Sequence, residues 1–424
     1  MVINVLFFLP ILLFSLLLSF FNPLAQNLNA LFIIWTLGWV GYLGFGYRVL
    51  WKKRPCCWKH LLLMALLCRL VLALGTTPSL STDIYRYIWE GRVIAAGLNP
   101  YSMPPNHPSL KHLQLDQDKN INFPDIPAIY PPVSLFFFAG LSQISTHPLF
   151  YKIAINLIDM ALCILLVFFL RQKQLPPERV FIYALHPLVL LEIGHSGHGD
   201  PLGILFLFLS LFLLYQSKPF LWSLVLSIYS KFIAVVAIPL LKPKQIPHAL
   251  LLLILCGIFF YSPFRGPLAD RTEAIQTYSQ YWKFNDSIFS IVLFVCKNPL
   301  VARWMVGLAF ISIWIGTTWH VHRRKDYANI LNPLFILIQA WICLSPTVHP
   351  WYLLWILPFC TFFNRPHWIL LSYLIIFSYW ALTTIDSNTQ TWMEAKWPRM
   401  VEYIPFYLVW FWNWRKGYRL ANSC

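Results

Sequence analysis

The sequence predicts an all-α polytopic membrane protein, because of its composition and the length of its apolar runs. Of the 424 residues, 58% are hydrophobic and only 11% are charged, and the mean hydropathy is +0.61. A soluble domain carries about 25% charged residues, so this composition excludes a soluble enzyme. A membrane-spanning helix needs about 20 mostly apolar residues, and apolar runs of comparable length recur along the chain. Lipid offers the backbone no hydrogen-bond partners, which favours helices.

The distribution of basic residues predicts the orientation in the membrane. The formal net charge is +16, from 32 Lys and Arg against 16 Asp and Glu. In a soluble protein this excess would suggest a nucleic-acid partner. Here the basic residues cluster in short segments between apolar runs, which is typical of cytoplasmic loops. We therefore expect a multi-pass protein of the cell (inner) membrane, with both termini in the cytoplasm, the lipid bilayer as a partner and no nucleic acid.

The first half of the chain predicts a series of spans around one long outer loop. Candidate spans are residues 4–21, 28–47, 61–74, 153–170, 180–193 and 202–215. A basic segment without acids follows the second run and includes Arg48, Lys52, Lys53, Arg54 and Lys59, so it faces the cytoplasm. The longest polar stretch, 77–130, then forms the first outer loop. Because both ends of 130–145 would lie outside, that segment predicts an interfacial or re-entrant helix.

The second half predicts further spans and a second outer loop at residues 264–286. Candidate spans are residues 220–241, 249–261, 301–320, 332–344, 353–363, 368–382 and 404–414. Basic residues flank 220–241 on both sides, so this run predicts two short helices that bend near Lys231. Residues 287–296 predict another interfacial or re-entrant helix. The whole chain, 1–424, is expected to form one membrane domain of about 12 to 14 spans.

The first outer loop carries a polar cluster whose spacing suits catalysis. If this segment is helical, Asp83, Arg86, Tyr87 and Glu90 fall on one face. Two carboxylates beside an arginine can provide a general base next to an anion site. A solvated helix start with i,i+4 ion pairs accounts for the same pattern.

A second polar cluster lies between two candidate spans and contains His195, His198 and Asp200. Their spacing is compatible with a metal site, so a divalent metal is possible, although no motif requires a cofactor. A sugar or phosphate pocket, or a plain polar turn, fits the same residues. Lys231 lies inside an apolar run, where an ionisable residue suggests function unless its side chain reaches the interface.

Two further groups of residues complete the pattern. Lys152, Asn156 and Asp159 share one face of a candidate span and predict a structural polar stripe. Aromatic and polar residues gather in later outer segments, namely Trp282, Asn285, His349, Trp351 and Tyr352. Aromatic faces over sugar rings would suit a glycosyl-donor site, whereas a membrane-interface belt explains most of the aromatics.

Taken in this order, the polar segments resemble the GT-C class of membrane glycosyltransferases, and within it the bacterial mannosyltransferase-like branch. The matching segments cover most of the chain. They are Asp83-Ile84-Tyr85-Arg86-Tyr87, Trp89-Glu90-Gly91-Arg92, Gly97-Leu98-Asn99-Pro100-Tyr101, Tyr130-Pro131-Pro132, His186-Pro187-Leu188, Gly197-His198-Gly199-Asp200, Lys231, Trp282-x-Phe284-Asn285 and His349-Pro350-Trp351-Tyr352.

The resemblance implies transfer of a hexose, expected to be mannose, from a polyprenyl-phosphate donor to a glycan or glycolipid acceptor at the extracytoplasmic face. It implies a GT-C-like helical bundle, an inverting single displacement and Asp83 as catalytic base. Relatives often pair two acids in this loop, whereas Asp83 has no adjacent acid, so Glu90 or Asp200 is the candidate second acid. Arg86, Arg92 and Lys231 are expected to hold the donor phosphate.

The remaining polar and aromatic residues are expected to contact substrate. They are Tyr87, Asn99, Tyr101, His195, His198, Asp200, Trp282, Asn285, His349, Trp351 and Tyr352. Two alternatives stay open. A transporter or flippase of lipid-linked sugars would show internal repeats, and none is visible in the sequence. An O-antigen polymerase or ligase would carry its large outer loop late in the chain, whereas here the long loop is early.

Overall fold

The computed structural model describes residues 2–51, 56–264, 268–384 and 394–415. Throughout these residues the regular structure is helical and no strand forms. Five helical stretches are long and apolar enough to cross a membrane, namely Leu28–Leu50, Trp58–Gly75, Pro148–Gln172, Pro299–Arg324 and Pro366–Thr384, and shorter apolar helices of 10–17 residues accompany them. The prediction of an all-α polytopic membrane protein is therefore confirmed. The total of about 12 to 14 spans stays a prediction.

The α-helices of the first half precede, follow and include part of the segment 77–130, which was predicted to be the first outer loop. They are α1 (Val2–Phe20), α2 (Leu28–Gly46), α3 (Trp58–Gly75), α4 (Asp83–Ala95), α5 (Pro132–Ser142), α6 (Pro148–Gln172), α7 (Phe181–Ala184), α8 (Pro187–Val189) and α9 (Asp200–Tyr215). Within the loop, short 3-10 turns form at Pro108–Leu113 and Asp116–Asn120. Helix α5 occupies the segment for which an interfacial or re-entrant helix was predicted.

The α-helices of the second half are interleaved with 3-10 segments. They are α10 (Leu221–Ser230), α11 (Ile246–Tyr261), α12 (Leu268–Tyr281), α13 (Ile288–Cys296), α14 (Pro299–Arg324), α15 (Leu331–Leu344), α16 (Leu357–Cys360), α17 (Pro366–Leu374) and α18 (Lys396–Arg415). The second outer loop therefore contains a helix, α12, that its polar composition did not predict. Among the predicted cytoplasmic basic residues, Lys52, Lys53, Arg54, Lys416 and Arg419 lie outside the described residues.

Prolines divide two runs that the sequence predicts as single crossings. In the run 180–193, α7 ends ahead of His186-Pro187, and a π-helical turn at Leu190–His195 follows α8. In the run 353–363, a 3-10 segment at Pro350–Trp355 passes into α16. Proline lacks an amide hydrogen and disfavours helix in the preceding residue. Both runs are therefore broken, and the prediction of continuous spans there is wrong.

The predicted bend at Lys231 is confirmed. Helix α10 ends at Ser230, Lys231 is extended with φ −157° and ψ 124°, and a 3-10 segment continues at Phe232–Leu240. Lys231 is therefore a single extended residue between two helical segments. The Lys231 ammonium contacts Asp200, the first residue of α9.

A fully buried ion pair joins α3 to α6. Arg69 Nη2 lies 2.5 Å from Asp159 Oδ2, and both side chains have 0% exposure. Arg69 Nη1 also donates to the carbonyl oxygen of Ala184 at 2.6 Å, and the Tyr183 hydroxyl donates to Asp159 Oδ1 at 2.6 Å. These contacts satisfy both charges and connect two spanning helices to α7.

Lys152 caps the end of α3. Its ammonium donates to the carbonyl oxygens of Leu72 and Thr76 at 3.1 and 2.7 Å, where the helix leaves carbonyl groups without intrahelical partners. Asn156 donates to the carbonyl oxygen of Ile193 at 3.3 Å. The polar stripe of α6 is therefore engaged with protein groups, as a structural stripe requires.

We expect Asp159→Asn to destabilise the protein strongly, because it leaves the Arg69 guanidinium buried without a counter-charge. The cost should be about 3–5 kcal/mol. The double variant Arg69→Met/Asp159→Leu removes both charges and should recover most of that loss. Thermal unfolding in detergent measures this, with Asp116→Asn as control because the Asp116 side chain is 101% exposed. A double variant that is less stable than Asp159→Asn alone would contradict the expectation.

Candidate functional site

Asp83 is a half-buried carboxylate, so solvent can still reach it. It begins α4, and its side chain is 18% exposed. Asn122 Nδ2 donates to Asp83 Oδ1 at 2.8 Å, and His198 Nδ1 lies 3.8 Å from Asp83 Oδ2. Burial raises the pKa of Asp83, while the hydrogen bond from Asn122 and the nearby Lys231 ammonium oppose that rise. A reachable carboxylate of raised basicity is suited to general-base chemistry.

Arg86 holds the polar loop against α4. Its Nε donates to Glu90 Oε1 at 3.0 Å. Its terminal nitrogens donate to the backbone carbonyl oxygens of Asn122, Phe123, Ile126 and Pro127 at 3.3, 3.0, 2.8 and 3.0 Å. The five N–H groups of the guanidinium are thus taken up by protein acceptors. In this arrangement Arg86 holds Asn122 beside Asp83, and its contact with the donor phosphate stays a prediction.

Arg92 also contacts the loop, and Glu90 accepts a hydrogen bond from Arg86. Arg92 Nη2 lies 2.5 Å from Asp118 Oδ2, and Nη1 donates to the carbonyl oxygen of Leu113 at 2.8 Å. Its charge is thus directed into the loop, and the phosphate contact of Arg92 stays a prediction as well. Glu90 is only 1% exposed, and burial raises its pKa to about 7. Its role as a second catalytic acid stays a prediction.

A close helix crossing fixes the position of α4. A Cβ atom added to Gly91 would lie 2.5 Å from the carbonyl oxygen of Phe138 in α5, so only glycine permits this approach. One turn earlier, the Tyr87 ring stacks on Phe138 with centroids 4.5 Å apart. The Tyr87 hydroxyl accepts from the Gly199 amide at 3.5 Å. Tyr87 thereby links α4 to the second polar cluster.

Asp200 and Lys231 form a partly exposed ion pair close to Asp83. The Lys231 ammonium contacts Asp200 Oδ1, which also accepts from Trp355 Nε1 at 2.7 Å. The Lys231 side chain remains 29% exposed and lies 5.0 Å above the Tyr352 ring. A lysine with one counter-ion and an open side can still bind an anion.

Aromatic rings and imidazoles form a column beside the two carboxylates. His198 stacks on Trp351 with centroids 4.0 Å apart, Trp351 on His349 at 4.3 Å, and His349 on Phe284 at 4.7 Å. Burial lowers the pKa of His349 to about 3, so its imidazole is neutral in the stack. Tyr352 adjoins the column, and its hydroxyl lies 2.5 Å from that of Tyr278. The structure thus brings His198, His349, Trp351 and Tyr352 together near Asp83.

Glu192 and Asn122 belong to this site, although the sequence did not single them out as functional. Glu192 is fully buried, its Oε1 accepts from the Tyr379 hydroxyl at 2.7 Å, and its Oε2 lies 3.4 Å from His198 Nε2. An ionisable residue at the end of an apolar run was a usable signal for Glu192. Asn122 carries no such signal, because it is one amide within a long polar loop.

Other predicted substrate residues have structural partners instead. Asn99 Oδ1 accepts from the Tyr101 amide at 3.0 Å, which forms a local turn. The Tyr101 hydroxyl donates to the carbonyl oxygen of Tyr130 at 2.8 Å, and Tyr101 is 1% exposed. His195 Nε2 lies 3.4 Å from the Ser79 amide and hydroxyl. These contacts support the loop, and the expected substrate contacts of Asn99, Tyr101 and His195 stay predictions.

The second outer segment is anchored to the C-terminal helix. Asn285 Nδ2 donates to Glu402 Oε2 at 2.6 Å, and the Asn285 amide donates to Glu394 Oε1 at 2.6 Å. Asn285 is 1% exposed, and its expected substrate contact likewise stays a prediction. Trp282 packs edge-on against Phe123 at 4.5 Å and stays half-buried. It lies where the two outer loops meet, and its substrate contact stays a prediction.

The side chains of His195, His198 and Asp200, whose spacing is compatible with a metal site, do not meet at one point. Among the described residues, no group of three or more His, Cys, Asp and Glu side chains is placed to hold a metal ion. His195 contacts Ser79, His198 faces Asp83 and Glu192, and Asp200 contacts Lys231. The three side chains therefore serve different partners, and the metal interpretation of their spacing is not supported.

Comparison with known proteins gives one family. Residues 17–244 match the model of the MptA/B family, described as alpha-(1->6)-mannopyranosyltransferase, N-terminal domain. The matched region is more than half of the chain and contains Asp83, Glu192, His198, Asp200 and Lys231. No curated protein and no solved structure matches the chain.

We expect Asn122→Ala to raise the pKa of Asp83 further, because the ionised form loses a hydrogen bond while burial still disfavours it. The infrared band of the protonated carboxyl, identified by its loss in Asp83→Asn, should titrate about one pH unit higher. Asn106→Ala, at an exposed amide of the same loop, is the matched control and should titrate like the wild type. An unchanged titration in Asn122→Ala would contradict the assignment.

Proposed function

Because the chain belongs to the alpha-(1->6)-mannopyranosyltransferase MptA/B family, we propose that it is a GT-C-like mannosyltransferase that uses a polyprenyl-phosphate-linked donor. The acceptor is a glycan or glycolipid at the extracytoplasmic face, and the anomeric centre is inverted in a single displacement. The observation that carries this proposal is the placement of a reachable carboxylate, Asp83, near the Lys231–Asp200 pair at the start of an apolar segment.

The environment of Lys231 supports a donor that joins a phosphate to a lipid chain. The apolar 3-10 segment Phe232–Leu240 follows Lys231 directly, and it contacts both α11 and α14. Trp314 of α14 donates to the carbonyl oxygen of Val236 at 3.0 Å. Phe232 and Val235 on this segment are 38% and 37% exposed. A cation at one end of an apolar surface suits a phosphate whose polyprenyl chain continues along that surface.

The proposed reaction needs a base on one side of the sugar and a cation on the other. Asp83 removes the proton of the acceptor hydroxyl as its oxygen attacks the anomeric carbon. The bond from that carbon to the phosphate oxygen breaks, and its electron pair stays on the lipid phosphate. Lys231 stabilises the added charge. In this proposal the sugar lies between these groups, beside the half-buried Trp351 and Tyr352.

The distribution of charge supports an extracytoplasmic site. Helix α3 begins beside Lys59 and ends just before the loop that carries Asp83. Helix α6 begins after that loop and ends beside Arg171 and Lys173. Both helices therefore have basic residues at the end away from Asp83 along the chain. By the positive-inside rule those ends are expected to face the cytoplasm, which supports an extracytoplasmic position for the proposed site.

We expect Asp83→Asn to lower transfer from labelled polyprenyl-phosphate mannose to glycan or glycolipid acceptors by about 100-fold or more, because the asparagine cannot accept the proton. Purified protein in detergent or nanodiscs is sufficient for the assay. Asp116→Asn, in the same loop but fully exposed, should retain wild-type transfer. Full activity of Asp83→Asn would reject the base. Absence of transfer, with movement of lipid-linked sugar across vesicles, would favour a flippase.

We expect Lys231→Met to lower kcat/KM for the lipid donor by about 10- to 100-fold, with little change in KM for the acceptor. Since this variant also leaves Asp200 buried without its partner, Lys231→Met/Asp200→Asn separates loss of folding from loss of phosphate binding. Lys244→Met, at an exposed lysine beyond the far end of the same apolar segment, is the control. Equal donor KM and kcat in a folded double variant would contradict the phosphate assignment.

A further inference from the structure

A line of buried groups extends from Asp83 into the protein. His198 lies between two carboxylates, with Nδ1 3.8 Å from Asp83 Oδ2 and Nε2 3.4 Å from Glu192 Oε2. The Tyr379 hydroxyl donates to the other oxygen of Glu192 at 2.7 Å. His198 is 1% exposed and Glu192 is 0% exposed. Within the described part of the chain, neither ring nitrogen of His198 has a hydrogen-bond partner.

The surroundings of His198 hold its ring in this direction. Its face stacks on Trp351, and its amide donates to the carbonyl oxygen of Glu192 at 3.1 Å. The preceding Gly197 has φ +71°, which side chains rarely adopt, and a Cβ there would lie 2.9 Å from Ile84. The backbone and the stack together keep each ring nitrogen beside one of the two carboxylates. Catalytic hydrogen bonds are often long before substrate binds and tighten in the complex.

We propose that His198 and Glu192 are positioning residues that act through Asp83, a proposal that rests on the mannosyl transfer described above. The acceptor O–H bond breaks as its proton bonds to Asp83 Oδ2. That proton then passes to His198 Nδ1, while the hydrogen on Nε2 of the same ring stays in place, with Nε2 3.4 Å from Glu192 Oε2. Asp83 returns to its carboxylate form, and the imidazolium lies between two carboxylates. The proton is thereby held away from the new glycosidic oxygen.

The charges around His198 explain why this transfer would accompany the reaction. Burial, followed by the nearby Lys231 ammonium, lowers the pKa of His198, so the ring is neutral at rest. A donor phosphate at Lys231 adds negative charge that offsets this effect, most of all as the phosphate leaves. The titratable and charged groups that face Asp83, His198 and Glu192 are Arg86, Tyr87, Glu90, Tyr130, His195, Asp200, Lys231, Tyr278, His349, Tyr352 and Tyr379.

The pH profile of transfer distinguishes this role from a purely structural one. Because Asp83, His198 and Glu192 would titrate as a coupled group, Glu192→Gln should move the acid limb of kcat/KM by about one pH unit. Asn122→Ala should move the same limb to higher pH. His198→Gln should lower kcat about 10- to 100-fold, because an amide cannot take the proton. If Glu192→Gln lowers activity but leaves the acid limb of the kcat/KM profile at the wild-type pH, the proposal is overturned.

Matched controls exist elsewhere in the fold. His367 is also fully buried and stacks on an indole, that of Trp410, with centroids 5.5 Å apart. Glu402 is another carboxylate with 0% exposure, and its partner is Asn285. His367→Gln and Glu402→Gln should leave the pH profile in place even if they lower stability. A shift in these controls equal to that of Glu192→Gln would also overturn the proposal.

A measurement without turnover separates this proposal from the proposed function. In protein labelled with 15N-histidine, the His198 signals are identified by their loss in His198→Gln. Their titration should shift in both Asp83→Asn and Glu192→Gln, and not in Glu402→Gln. If the wild type transfers no mannose, this titration still decides whether the three groups are coupled. Unshifted His198 signals in both variants would reject the coupling even if Asp83-dependent transfer is observed.

Discussion

A charged group that is taken out of water must find a partner within the protein, and this constraint organises the described structure. Arg69 and Asp159 satisfy it between α3 and α6, where removing either charge would strand the other. Arg86 satisfies it with Glu90 and the carbonyl groups of the outer loop. Lys231 satisfies it with Asp200 at the bend between α10 and the 3-10 segment. In each case the partner lies on a different segment or helical turn, so the ion pairs also define which segments are neighbours.

The sequence could predict features that depend on local pattern. Apolar runs and basic segments indicate the spans, and i,i+3 and i,i+4 spacing indicates that Asp83, Arg86, Tyr87 and Glu90 share a face of α4. The bend at Lys231 follows from charges on both sides of one apolar run. The breaks at Pro187 and Pro358 were also visible as residues. Hydropathy averaged over a window nevertheless favoured continuous spans there, because it ignores the missing amide hydrogen of proline.

The sequence could not predict which arginines face a ligand. Arg86 and Arg92 have the residue type and position expected of phosphate contacts, yet their partners are mostly carbonyl groups of the loop between α4 and α5. The path of that loop depends on tertiary contacts that no periodicity encodes. The column formed by His198, Phe284, His349 and Trp351 is similar, because it brings together three segments that are far apart in the chain. Composition suggested an interfacial belt, whereas packing makes some of these rings the wall of a site.

The contact of Gly91 with α5 has a consequence for how acceptors could be selected. With no space for even a methyl group between the two helices, the helix that carries Asp83 is fixed to its neighbour and has no freedom to adapt to different acceptors. Adaptation must then come from the opposite wall, where Trp282 meets the first loop. In the proposed function, the helix that carries the base is therefore the fixed part of the site, and the α12 segment is the part that can change. Related enzymes could acquire new acceptors by changing the α12 segment while the base keeps its position.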